Sequence, residues 1–305
     1  MDIIEYARGV LPSSVIDSIG AAYSYAYGII NAYLLRCEYI VEVVGAYLIL
    51  ELLIPRTRNS PRSYVRGLKF ILSGVFFTVL FFSVFPQIVD LTVLKSFAVI
   101  DLTPLTNSSL WPVQLLGYFV VAFGAPFLGN FIYYWFHRAQ HAVPLLWRFH
   151  KVHHSIREMS AANSYHHILE DLCEFFLILM PIALLVRFDT QGSLPAWIGF
   201  VISTQSYFVH SSANINIGPL RYVIGDNRFH RIHHSLEPRH FHKNFGTVTP
   251  IYDIIFGTAY FPAKNEWPET GLADTPEPKG IIDFLLMPFR PVVETPAETI
   301  IDQHQ

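Results

Sequence analysis

Residues 136–154 read FHRAQHAVPLLWRFHKVHH, and the rest of the chain is organised around this stretch and a shorter echo of it. The stretch holds an HxxxH box and an HxxHH box, and a second HxxHH box occupies residues 230–234. The eight histidines of the three boxes are His137, His141, His150, His153, His154, His230, His233 and His234. Residues three and four apart on a helix share one face, with Cβ atoms about 5–6 Å apart. Each box can therefore direct several imidazoles at one point.

The spacing of the boxes favours a metal centre with two ions. Imidazole is the commonest metal ligand among side chains, and protonated imidazoles that face one another would repel. Within HxxHH the two adjacent histidines lie about 100° apart around the helix, so one can serve a first ion and its neighbour a second. Histidines satisfied within a core, or a solvated histidine-rich surface, explain the pattern less well, because the boxes recur beside long apolar runs.

The composition is that of a membrane protein. Of the 305 residues, 52% are hydrophobic and 15% are charged, whereas soluble domains carry about 25% charge. Basic residues cluster at the ends of apolar runs and form no stripe, so we expect no nucleic-acid partner. Cys37 and Cys173 form neither a disulfide framework nor a CxxC pattern. The N-terminus is acidic, with Asp2 and Glu5, so we expect no cleaved signal peptide.

Six apolar runs predict an all-α fold, a polytopic membrane helical bundle of about four to six membrane helices. The runs are 14–35, 39–54, 70–89, 113–135, 172–188 and 194–209. Polar residues 36–38 separate the first two runs, and we expect the last two to form a short hairpin around 189–193. Residues 90–112, with their turn-forming side chains, are predicted to be a loop.

Positive charge orients this bundle. The loop before the third run is basic, and its cationic residues are Arg56, Arg58, Arg62, Arg66 and Lys69. The positive-inside rule places that loop in the cytoplasm, and the following runs then bring every box to the same side as a cytoplasmic helical cap. We expect N-terminal membrane helices over 1–112, the catalytic region over 113–260 and a C-terminal extension over 261–305. Beyond about 293 the extension is predicted to be a mobile tail in which His304 is inert.

With its boxes and flanking residues, the chain resembles the fatty acid hydroxylase / sterol desaturase superfamily of integral-membrane non-haem di-iron enzymes, over about 51–260. Lys243-Asn244-Phe245-Gly246 is similar to the family's Asn-Tyr-Gly segment, and residues 252–258, YDIIFGT, are similar to its Trp-Asp-x-x-Phe-Gly-Thr run. Residues 146–155 look most like the sterol-desaturase-like branch. One departure is His167-Ile168-Leu169-Glu170, which lacks the proline of the family's His-Pro-x-Glu.

The resemblance implies a set of site residues. The eight box histidines are expected to be catalytic, and the expected metal ligands are these eight together with His167 and His210; no other cofactor-binding residues are assigned. His166 lies next to His167 and is the alternative candidate for this ligand position. We expect Glu170 and Asp171 to orient imidazoles by accepting the far ring N–H. His240 and His242 are expected to support the site or lie at the surface.

The resemblance also implies a reaction. Two iron ions with O2 as cosubstrate would hydroxylate or desaturate an unactivated C–H bond of a lipid, with zinc as an alternative metal in purified protein. The lipid could be a sterol, a sphingoid or fatty acyl chain, an ether lipid or a carotenoid. Electrons would come from NAD(P)H through a separate carrier, either cytochrome b5-like or a ferredoxin with its reductase. The expected location is the endoplasmic reticulum in a eukaryote or the inner membrane in a bacterium, with the active site facing the cytoplasm.

Two other classes of protein use histidine clusters. A membrane metal transporter places ionisable residues within spanning helices near the midplane, whereas these histidines follow the apolar runs. A zinc-dependent membrane hydrolase needs a water-activating carboxylate, and the sequence contains no HExxH motif. Both are therefore less favoured than a lipid oxygenase.

Overall fold

The fold is described by a computed structural model that covers residues 12–88, 99–187 and 194–290. The acidic N-terminus, the 189–193 turn and the tail with His304 lie outside these described residues, as does part of the predicted 90–112 loop. The described chain is mostly helical, which confirms the predicted fold class at that level.

Eleven α-helices lie within the described residues. They are α1 (Ser13–Leu53), α2 (Pro61–Ile88), α3 (Thr103–Thr106), α4 (Trp111–Ala142), α5 (Pro144–His154), α6 (Ile168–Glu174), α7 (Met180–Leu185), α8 (Leu194–His210), α9 (Asn227–His233), α10 (Ile251–Ile255) and α11 (Ile281–Leu286). A π-helical turn, Phe175–Leu179, joins α6 to α7. Strand β1 (Ile100–Asp101) pairs in parallel with β2 (Val186–Arg187), and 3-10 turns occupy Gly218–Tyr222, Pro238–His240 and Met287–Phe289.

Helix α1 differs from the prediction of two separate apolar runs. It continues for 41 residues through the polar segment 36–38. Charged side chains such as Arg and Glu are good helix formers, so the break in hydropathy is no break in the backbone. The helix ends at Leu53, just before Pro55, because a residue that precedes proline is driven away from the helical region.

Within the described residues, two helices are long and apolar enough to cross a membrane, Pro61–Phe85 and Trp111–Ala142. Both extend beyond the apolar runs that predicted them. Helix α2 begins with proline, which suits a first helical position, and α4 continues past 135 to include both histidines of the HxxxH box. The arms on either side of 188–193 are not among these candidates. The number of spans and the cytoplasmic position of the cap therefore stay predictions.

A cluster of aromatic rings connects α2 to the region of the boxes. Phe70 of α2 stacks on Phe284 of α11 with ring centroids 4.8 Å apart, and it meets Tyr165 edge to face at the same distance. All three rings are buried. Burial of each ring contributes on the order of 2–3 kcal/mol, so this cluster fixes the backbone at Tyr165, which lies beside the histidines.

Candidate metal centre

Nine histidines converge in two groups, and within each group the ligand nitrogens all lie within 4.8 Å of one another. The first group contains His137, His141, His150, His154 and His233. The second group contains His153, His210, His230 and His234. Eight of these are the box histidines, and the ninth is His210, which the resemblance alone had suggested.

Helical periodicity explains which histidine joins which group. Histidines four residues apart on one helix fall in the same group, as His150 and His154 do on α5. Adjacent histidines are divided, so His153 belongs to the second group and His154 to the first. The same division occurs between positions 233 and 234 at the end of α9. This is the arrangement that the 100° step between neighbours predicts.

The Nε2 atoms of each group face one another at short range. In the first group, Nε2 of His150 lies 2.9 Å from that of His137 and 3.0 Å from that of His154. In the second group, Nε2 of His210 lies 3.1 Å from the Nε2 atoms of His153 and His230. Two imidazole nitrogens that each lie about 2.1 Å from one ion, at a right angle, are about 3 Å apart. The spacing therefore fits one ion in each group.

The far ring nitrogens explain why these contacts are not ordinary hydrogen bonds. Nδ1 of His137 donates to the Phe245 carbonyl at 2.7 Å, and Nδ1 of His153 donates to the Tyr165 carbonyl at 2.9 Å. A carbonyl only accepts, so Nδ1 carries the proton and Nε2 of the neutral ring presents a lone pair. Similar Nδ1 contacts join His210 to the Ser206 carbonyl and His233 to the Lys243 carbonyl. Lone pairs that face each other at 3 Å repel, and a cation bound between them would remove this repulsion.

Burial keeps these rings neutral. Loss of solvation lowers the pKa of His150, His153 and His154 well below the ordinary value of 6.5, and the neighbouring imidazoles lower it further. The same causes lower the pKa of the three histidines of the third box. Only neutral imidazole binds a metal, so both groups are ready to bind one at pH 7.

The first group also contains an orphaned nitrogen. Nε2 of His141 is buried and has no hydrogen-bond partner among the described residues. A buried polar atom without a partner is costly, and an ion bound by the group would satisfy it. Both groups consist of imidazoles alone, a donor set that suits iron and zinc. The residues present therefore fit a pair of transition-metal ions.

One carboxylate supports the first group from behind. Oε1 of Glu170 accepts from Nδ1 of His150 at 2.7 Å and from Nε2 of Gln140 at 2.7 Å. This is the contact expected of Glu170. Asp171, for which the same role was expected, makes no side-chain hydrogen bond to an imidazole within the described residues. Asp171 differs from Glu170 because adjacent residues on a helix point about 100° apart.

His167, one of the predicted ligands, belongs to neither group. Its Nδ1 accepts from the Leu169 amide at 3.2 Å as the N-cap of α6, and its Nε2 contacts the Leu285 carbonyl at 3.2 Å. Both ring nitrogens therefore already have partners. The neighbouring His166 instead stacks on His153, with ring centroids 3.8 Å apart. The ambiguity between these two adjacent histidines was visible in the sequence, but which one turns inward was not.

The two histidines after the third box also lie outside both groups. His240 is buried and contacts the hydroxyl of Ser235 at 2.8 Å and the carboxylate of Glu266 at 3.2 Å. It therefore links the residue after the third box to the segment near 266. His242 is exposed, with a positive φ of 57°. The expectation that they support the site or lie at the surface agrees with these positions.

Other supporting residues were not predicted to take part. The carboxylate of Asp253 accepts from the amides of Phe245 and Gly246, both at 2.8 Å, and so fixes the carbonyl that holds His137. Asn130 of α4 accepts from the amides of Thr247 and Val248. The side-chain amide of Asn130 is buried. The only sign of its role in the sequence was a polar residue inside an apolar run.

The profile of the fatty acid hydroxylase family matches residues 121–258. Human alkylglycerol monooxygenase is 31% identical over 141 residues, which is 46% of this chain and 30% of that protein. An ornithine lipid hydroxylase of Rhizobium tropici is 29% identical over 208 residues, 65% of this chain and 61% of that protein. A very-long-chain aldehyde decarbonylase of Oryza sativa subsp. japonica is 31% identical over 139 residues, 42% of this chain and 21% of that protein.

The matched parts thus span less than two thirds of these relatives. No solved structure matches the chain at a significant level. The family match covers all three histidine boxes and His210, and it ends at Thr258, the last residue of the YDIIFGT run. The predicted resemblance to the fatty acid hydroxylase / sterol desaturase superfamily is confirmed over residues 121–258.

Proposed function

We propose that this protein is a membrane-bound, O2-dependent lipid oxygenase with a di-iron centre. The observation that carries the proposal is the pair of all-imidazole groups whose Nε2 lone pairs face each other at about 3 Å. The two apolar helices of membrane-spanning length, one of which carries the HxxxH box, support a substrate that is itself in the membrane.

Each group would hold one iron ion, the first through its five imidazoles and the second through its four. When bound, the pair of ferrous ions supplies the activation of O2 for attack on an unactivated C–H bond. The chain's own part is to keep Nε2 unprotonated, through Nδ1 donation to fixed carbonyls and Glu170, and to hold the rings in place. Buried surroundings exclude water from the oxidising site.

We favour hydroxylation of a lipid as the reaction. Two of the relatives are named as a monooxygenase and a hydroxylase, and each name specifies a lipid. The balance is R–H + O2 + 2 e⁻ + 2 H⁺ → R–OH + H2O, so two electrons must be supplied. We propose that they come from NAD(P)H through a separate carrier, cytochrome b5-like or a ferredoxin with its reductase. The proposed site faces the cytoplasm, as the basic loop before α2 indicates.

A hydrolytic zinc site is less well supported by the same geometry. Neither group contains a carboxylate among the described residues, and Glu170 is hydrogen-bonded behind His150. A water-activating base would have to lie on the open side of the ion.

The test is incorporation of label from ¹⁸O2. Purified protein, loaded with ferrous iron, would be incubated with membrane lipid extract, a reductant and ¹⁸O2, and the lipids analysed by mass spectrometry. We expect a product 18 mass units heavier than its parent lipid, dependent on both O2 and reductant. His153→Ala should abolish it, whereas the matched substitution His304→Ala should not. Label from H2¹⁸O instead, or product without O2, would contradict an oxygenase.

A further inference from the structure

A group of positive charges lies on the cap beside the third box, outside the metal centre. Three arginines from different parts of the chain hold one turn through its carbonyls. Arg221 donates to Pro262 at 3.3 Å, Arg228 donates to Lys264 at 2.9 Å, and Arg56 donates to Asn265 at 3.2 Å. Lys264, within the turn, adds a fourth positive charge.

Two carboxylates, Asp226 and Glu266, offset part of this charge without touching it. Within the described residues none of the four cations forms an ion pair. The two acidic side chains nearby are otherwise engaged, since Asp226 caps α9 through the Phe229 amide and Glu266 binds Arg239 and Tyr260. In a protein of net charge −3, such a concentration of positive charge attracts an anion.

The charges border a shallow basin on the surface of the protein. It has a volume of about 350 Å³, and its lining residues include Asn216, Tyr222, Arg221, Arg228 and Lys264. Both Nη atoms of Arg221 donate to the Pro262 carbonyl, so Arg221 contributes positive charge to the basin and no free donor. Guanidinium and ammonium groups are the usual binders of phosphate.

Apolar side chains form the other border of the basin. Leu220, Tyr222, Val223 and Ile224 are 58%, 51%, 55% and 40% exposed, and three of them are consecutive. A run of exposed apolar residues next to basic ones is typical of a segment in the membrane interface. A soluble anion would need the charges but not this apolar border.

The apolar segment is held beside an apolar helix that ends at the second group. Nε2 of Gln205 in α8 donates to the Gly225 carbonyl at 2.7 Å and to the Thr247 carbonyl at 2.9 Å. A Cβ at position 225 would lie 2.3 Å from the Thr247 oxygen, so glycine permits this approach. Gln205 precedes His210 by about 7.5 Å along the helix, so the segment lies level with the apolar part of α8 and not with its histidine.

From these observations we infer that the basin binds the phosphate of an anionic membrane phospholipid while residues 220–224 enter the headgroup region. This inference rests on one part of the proposed function, the location of the chain in a membrane. Such a site would hold the third box at a fixed height above the bilayer, since Arg228 lies two residues before His230 on the same helix. Each basic residue near an anionic surface strengthens binding about fivefold.

The experiment is native mass spectrometry of the full chain, purified from mixed micelles with equal phosphatidylglycerol and phosphatidylcholine. We expect one phosphatidylglycerol retained in preference to phosphatidylcholine. Retention should fall about thirtyfold in Arg228→Gln/Lys264→Gln, which removes two charges, and it should also fall in Val223→Asn. The matched control is Arg58→Gln/Arg62→Gln, which removes two charges elsewhere and should leave retention within about twofold.

Three outcomes would overturn the inference. Equal loss in the control would show general attraction to the surface. Displacement of the lipid by inorganic phosphate at equal concentration, with Val223→Asn inert, would indicate a soluble anion. The third outcome concerns Arg228→Gln/Lys264→Gln. If this variant retained lipid like wild type, and its turnover fell with a protein electron donor but not with dithionite, the basin would be the docking site of the donor. Metal content and melting temperature equal to wild type would show that each variant is folded.

Discussion

The two histidine groups differ in what supports their rings. In the first group, His150 is held by a buried carboxylate, and Phe245 and Lys243 carbonyls hold two more rings. In the second group, Nδ1 of His230 and Nδ1 of His234 are buried without a hydrogen-bond partner among the described residues. A carboxylate behind an imidazole raises its basicity and its hold on a metal. We therefore expect the first group to bind its ion more tightly than the second.

The largest effect should follow removal of a ligand from either group. His233→Ala in the first group and His153→Ala in the second should each reduce turnover below detection and lower bound metal, with the protein still inserted in the membrane. Metal analysis and turnover of the purified variants measure both effects. Unchanged turnover in either variant would remove that residue from the site.

The comparison is sharpened by removal of the carboxylate that only the first group has. Glu170→Ala should weaken the first ion about 10- to 100-fold and leave the second nearly unchanged, so mild chelation should reduce metal content to about one ion per chain. The readout is metal bound against chelator concentration.

Asp171→Asn is the matched control for Glu170→Ala, because Asp171 lies next to it and forms no hydrogen bond or ion pair with an imidazole within the described residues. This variant should lose metal at the same chelator concentration as wild type. Equal loss of both ions in Glu170→Ala would show that the two groups do not differ as proposed.

A smaller effect is expected from the backbone that supports His137. Asp253→Ala would leave the buried amides of Phe245 and Gly246 without an acceptor, at a cost of about 2 kcal/mol or more. The melting temperature of this variant in detergent should fall. The melting temperature of Asp253→Asn, which keeps one acceptor oxygen, should fall less. If both variants melted like wild type, this carboxylate would not position the first group.

The smallest effect should come from His167, the predicted ligand that lies in neither group. His167→Ala removes an N-cap contact to the Leu169 amide, which costs about 1 kcal/mol. Metal content should stay at the wild-type value. Loss of an ion from this variant would return His167 to the ligand set.

Sequence spacing predicted which imidazoles converge, because the 3.6-residue period of a helix fixes which histidines share a face. It also predicted the helical fold and the role of Glu170. It could not predict that α1 runs unbroken through 36–38, since hydropathy does not report on backbone continuity. Contacts distant in sequence were likewise hidden, such as Asp253 behind the carbonyl of Phe245, because tertiary packing brings them together. The choice between His166 and His167 depended on a local turn that spacing does not encode.

The central claim, one ion in each histidine group, is tested most directly by counting metal in the wild-type protein. The protein would be expressed with iron-57, purified in detergent, and measured by mass spectrometry for metal per chain and by Mössbauer spectroscopy for coupling. Two irons per chain with a coupled di-iron signal are the predicted result. One ion per chain or none after reconstitution with excess ferrous iron would contradict the claim.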